Sequence, residues 1–184
     1  MMLCCRVIPI SVAALFCRPE LKSLDPFFML DEASVSPPTG FPDHPHRGRG
    51  IIHSEIPAGP GAQKGLQLWV NLSSKDKMVE PNYQELLSED IKKAEKDGVK
   101  VKIIAGESMG IKSPVYTRTP TMFLDFTLSP GAQMHQPIPE SWNSFVYVLD
   151  GEGVFGSMAE IEQAFQDYRF CKNGFEMAKH WRSQ

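Results

Sequence analysis

Three of the five histidines in this 184-residue chain, His44, His46 and His53, fall in one short stretch, and Glu55 follows two residues after the last. In both His-x-His and His-x-Glu the paired residues are two apart. That is the strand period, so each pair projects to one face of an extended segment. Three neutral imidazoles and one carboxylate suit a borderline divalent transition metal and leave coordination positions open. A polar hairpin with solvated histidines has the same spacing, and spacing alone leaves both readings open. Register separates them. With Gly48-Arg49 as a two-residue turn, His44 faces His53 and His46 faces Ile51, which puts all four donors on one side. Glycine at the first turn position suits a type II′ turn. A slip of one residue sends His53 and Glu55 to the opposite face.

The elements that must carry this stretch are short and extended. Phe27-Phe-Met-Leu30 reads as an apolar strand, and Ser36-Pro-Pro-Thr-Gly40 and Pro57-Ala-Gly-Pro-Gly-Ala62 as loops. From Leu66 to Leu72 apolar and polar residues alternate, as in a half-buried strand; Trp69 lies on the polar side, where covering a sheet face ranks above lining a pocket. Ser73 to Asp97 is polar and reads as a linker with one helical turn between Glu85 and Lys96. Val99–Ile104, Val115–Thr119, Thr121–Leu128 and Phe145–Leu149 read as further strands, with turns at Ser129-Pro-Gly131 and Asp150-Gly-Glu-Gly153. The period then changes. Met158, Ile161, Phe165 and Tyr168 predict an amphipathic helix ended by Asn173-Gly174, packed on the core or, as the lesser reading, docking a partner at the surface, with a further helical stretch around Phe175, Ala178 and Trp181. Short strands between Gly/Pro turns and one late helix predict an all-β sandwich or barrel. His135 has no carboxylate spaced to join it, so the second half reads as structural.

A net charge of −3 and a pI of about 6.0 supply no basic field for direct nucleic-acid binding. Cys4, Cys5, Cys17 and Cys171 follow no CxxC spacing and read as reduced thiols. Residues 1–17 are mostly apolar around Val7–Phe16 and lack acidic residues. They read as a weak organelle or secretory targeting segment, an irregular terminus or a buried strand; they are too short and interrupted to span a membrane.

Several motifs carry a resemblance. Arg18-Pro-Glu-Leu-Lys-Ser-Leu-Asp-Pro-Phe27, Met29-Leu-Asp-Glu32, Gly40-Phe-Pro-Asp-His-Pro-His-Arg-Gly48, Gly48-Arg-Gly-Ile-Ile-His-Ser-Glu55, Gly65-Leu-Gln-Leu-Trp-Val-Asn-Leu72, Tyr116-Thr-Arg-Thr-Pro120 and Asn173-Gly-Phe175 resemble the pirin family of two-domain cupins. The likeness implies cupin strands (double-stranded β-helix, or jelly-roll) from two domains plus a C-terminal helix. It implies non-haem iron, Fe2+, held by His44, His46, His53 and Glu55. The organisation it implies is a variable segment over 1–17, an N-terminal cupin with the metal motif over 18–72, a linker over 73–97, a C-terminal cupin over 98–156 and the helix over 157–184.

The chain also departs from the family pattern. The segment between His46 and His53 is nearly absent, Val154-Phe-Gly156 runs straight to the helix, and the glycine-rich opening strand is replaced. Both cupins are therefore expected to be incomplete, as in a shortened product of a pirin gene. Three functions follow from the resemblance. One is an iron-dependent regulatory or transcription-cofactor protein of the nucleus and cytoplasm that binds protein partners. Another is a quercetin 2,3-dioxygenase that opens a flavonol ring, with Glu55 as the catalytic group accepting the substrate's hydroxyl proton. The last is an inactive truncated product. Catalysis needs walls that the absent strands would build, so binding ranks above it.

Overall fold

The computed structural model describes residues 11–14, 24–46, 52–156, 158–172 and 176. Its first strands are β1 (Ser11–Ala14), β2 (Phe27–Val35), β3 (Phe41–Pro45), β4 (Ile52–Glu55) and β5 (Gln63–Val70). After a 3-10 turn at Ser74–Asp76 come β6 (Lys92–Lys96), β7 (Val99–Ala105), β8 (Glu107–Ser108), β9 (Ile111–Lys112) and β10 (Phe123–Leu128). One α-helix, α1 (Met158–Phe170), follows. The chain divides into two compact units, Met1–Asn143 and Ser144–Gln184. The architecture is all-β with one helix, as the turn-punctuated sequence predicts.

In the first unit, β2 lies between β1 and β5 in one antiparallel sheet, and β7 lies between β10 and β6 in another. The sequence of β7 explains its central place. Val99, Val101, Ile103 and Ala105 alternate with Lys100 and Lys102, so one face is apolar throughout, and all four are almost fully buried. The other face is charged: Lys100 reaches Glu95 at 3.4 Å and Lys102 reaches Asp125 at 2.8 Å on the neighbouring strands. Among the described residues, Leu30 on β2, in the other sheet, is the remaining buried apolar side chain.

Hairpin chemistry fixes two registers. Asp97 and Gly98 both have positive φ, at 50° and 80°, between Lys96 and its partner Val99. Two such residues form a type I′ turn, whose twist matches the flanking strands. Met109 and Gly110, at 49° and 74°, make the same turn between β8 and β9.

Four expectations need correction. Lys92–Lys96 is a strand rather than the end of a polar linker with a helical turn; the Asp-Gly turn folds it back on β7. Val115–Thr119 forms no strand: the backbone of Tyr116 is occupied by the Gln84 side chain, which donates to its carbonyl at 2.6 Å and accepts from its N–H at 2.9 Å. Phe145–Leu149 forms no strand; Val146, Val148 and Leu149 are exposed, and Leu149 lies in a bend. Apolar, β-branched composition does not by itself make a strand; a hydrogen-bonded ladder to a neighbouring strand does. On α1 itself Phe165 is 63% exposed, so it does not pack on a core, whereas Asp167 is buried. The helix stops at Phe170 with Cys171 in the left-handed region at φ 50°. Asn173-Gly174 and the Gly48-Arg49 turn lie outside the described residues. Of the opening segment, Ser11–Ala14 is described and pairs with Asp31–Ser34 of β2.

Candidate metal centre

The hairpin β3–β4 brings the histidines together through its register. His44 stands opposite His53 and Pro45 opposite Ile52, and a one-residue irregularity between Phe41 and His44 sets Glu55 opposite Phe41. Along both strands the donors alternate with exposed residues, so His44, His46, His53 and Glu55 are all partly buried on the same side.

The imidazole nitrogens converge. His53 Nε2 lies 2.8 Å from His46 Nε2 and 3.0 Å from His44 Nε2, and the ligand atoms of the three rings are within 4.8 Å of one another. His44 Nδ1 donates to the Pro42 carbonyl at 2.8 Å. A carbonyl only accepts, so Nδ1 carries the proton and Nε2 keeps its lone pair, the tautomer a metal requires. His53 Nε2 then meets two nitrogens with either one proton or one lone pair, and one such group cannot serve two linear hydrogen bonds. A cation among the three nitrogens would satisfy all of them. The spacing suits that: two nitrogens each about 2.1 Å from a metal at a right angle are about 3 Å apart.

His46 is held below the ordinary histidine pKa, first by desolvation and then by the neighbouring His53 and His44, with Glu55 opposing. The neutral ring, the form that ligates, is thereby favoured. Its ring lies against Trp69, with centroids 4.5 Å apart, and Trp69 stacks on Phe28 at 6.2 Å.

Glu55 sits beside the triad rather than fully within it. Its Oε1 is 3.5 Å from His53 Nε2 and accepts from Gln67 Nε2 at 2.8 Å, and it is not part of the mutually close set of ligand atoms. Gln67 Oε1 in turn accepts from Trp69 Nε1 at 2.6 Å. Gln67 and Trp69 are two apart on β5, so a line of hydrogen bonds runs from the indole through the amide to the carboxylate. The alternation of β5 put both on its polar face, but nothing in the sequence told that this face meets β4. A cavity of about 70 Å³ adjoins the site, lined by Asp31, Ala33, Phe41, His44, Glu55 and Gln67. Asp31, within the Met29-Leu-Asp-Glu32 motif, carries no local signal of a place at this site. Among the described residues the three histidines form the one group of this kind.

The profile of the Pirin C-terminal cupin domain matches residues 123–159. A pirin-like protein of Solanum lycopersicum is 47% identical over 91% of this chain and 88% of its own length. Pirin of Homo sapiens is 39% identical over 91% of this chain and 89% of its own length. This chain belongs to the pirin family. The crystal structure of GK1651 from Geobacillus kaustophilus is similar too, with a TM-score of 0.55 and 25% identity over 69% of this chain and 70% of that one. With the profile match and the strand-dominated architecture, this makes the fold an all-β cupin. The two pirin alignments run over 256 and 258 positions, more than the 184 residues of this chain. They therefore cross gaps in it: these pirins carry internal segments that this chain lacks. No helix of the described residues is long and apolar enough to cross a membrane.

Proposed function

We propose that this chain is a metal-binding regulatory cupin, holding iron as Fe2+ through His44, His46 and His53 with Glu55 as the fourth donor, and acting on protein partners in the nucleus and cytoplasm. The observation that carries the reading is the convergence of three imidazole nitrogens, one locked by the Pro42 carbonyl in the ligating tautomer. Iron bound there would supply Lewis acidity and one-electron chemistry. The chain's own residues determine how accessible that chemistry is: Gln67 holds the carboxylate, Trp69 covers the His46 ring, and His53 and Glu55 keep 41% and 39% of their side-chain surface in solvent.

Binding ranks above catalysis because of the walls. Ring-opening dioxygenation needs an enclosed substrate, and the cavity beside the triad, about 70 Å³, is far below the roughly 300 Å³ at which small-molecule pockets begin. Two assays on the purified chain separate the readings. Metal analysis after anaerobic loading with Fe2+ is expected to give about one equivalent, lost in His53→Ala. An oxygen electrode with quercetin is expected to record no turnover by the loaded chain. Turnover that His44→Ala abolishes would transfer the conclusion to the flavonol dioxygenase, with Glu55 as its proton acceptor. Absence of bound metal would leave the inactive product.

A further inference from the structure

Asp31 is a charged residue placed where its partners do not suffice. It stands on β2 directly opposite Gln67 on β5, but the Gln67 amide is already engaged at both ends, donating to Glu55 and accepting from Trp69. Asp31 Oδ1 is buried and has no hydrogen-bond partner in the protein. Such an atom is costly to bury unless something else donates to it. The same carboxylate lines the cavity beside His44 and Glu55.

We propose that this cavity is a subsite for a hydroxyl group, of water or of a small uncharged ligand, which donates to Asp31 Oδ1. The two carboxylates disfavour an anion. Its volume, about 70 Å³, holds about two waters at roughly 30 Å³ each, or one small hydroxyl compound. Ala33 and Phe41 supply the apolar wall against which a carbon atom of such a compound would rest. Desolvation raises the Asp31 pKa, as expected of a carboxylate that the protein alone leaves without a donor.

The test uses the full chain, isotope-labelled and free of metal, with water and then 13C-methanol as probes. In the wild type a nuclear Overhauser effect from water to the Ala33 methyl group is expected. Asp31→Val should lose it. Asp31→Asn keeps an oxygen acceptor and the shape, so it should retain the effect, and its new side-chain amide reports the same water directly should Asp31→Val fail to fold. Contacts from methanol to Ala33 and Phe41, absent in Asp31→Val, would identify an organic hydroxyl as the occupant; water contacts alone would identify solvent. No contact from either probe in the wild type, or undiminished contacts in Asp31→Val, would overturn the subsite. No metal enters the experiment, so its failure and a failure of the iron reading are separate results.

Discussion

Replacing Gln67 by Leu should weaken metal binding without touching a ligand. The substitution keeps most of the side-chain volume, removes the 2.8 Å donor to Glu55 Oε1 and leaves Trp69 Nε1 without its 2.6 Å acceptor. A hydrogen bond to a charged group contributes about 1.5–3 kcal/mol. Glu55 is 39% exposed, so water replaces part of the loss and the lower end applies, about 1.5 kcal/mol. That corresponds to roughly tenfold in affinity, the lower bound of the 10–100-fold typical when a residue supporting a metal ligand is changed. Competition for Co2+ against a chromophoric chelator measures it, with far-UV circular dichroism confirming an unchanged fold. Affinity equal to the wild type would refute the argument that Gln67 positions Glu55. A loss that accompanied unfolding would mean instead that Gln67 matters for packing.

Further expectations concern the core and pH. Ile103, fully buried at the centre of β7, should lose about 2–5 kcal/mol of stability as Ile103→Ala; urea unfolding checks this, and an unchanged midpoint would mean that the β7 face is not a packed core. Because the folded-state pKa of His46 lies below its ordinary 6.5, the unfolded chain takes up that proton first as pH falls. The contribution of His46 to stability should be constant above pH 6.5, decline below it, and level off beneath the folded-state pKa. NMR titration of the metal-free chain should place the His46 midpoint below 6.5, and a midpoint at or above that value would contradict the desolvated placement.

How much of this was legible depends on whether a signal was local. The strands β5, β7 and β10 follow from alternation that one-sided burial imposes, and His44 opposite His53 follows from counting outward from a two-residue turn. Lys92–Lys96 carries no apolar pattern; its strand state comes from pairing with β7 through the Asp97-Gly98 turn, whose signal lies at the end of an otherwise polar, linker-like stretch. Phe145–Leu149 has a strand's composition but forms none, because laddering depends on a partner segment elsewhere in the chain and not on local composition. Gln67 and Asp31 reach the site by meeting across β5 and β2 and through the approach of β4. No spacing within one segment encodes that meeting.

The account rests on three imidazoles acting as one binding site, and an anaerobic calorimetric titration with Fe2+ tests this most directly. The wild-type chain should take up one equivalent, and the His44→Ala/His53→Ala double variant should bind at least about a hundredfold more weakly, since two ligands are lost. Equal uptake by both proteins would contradict it.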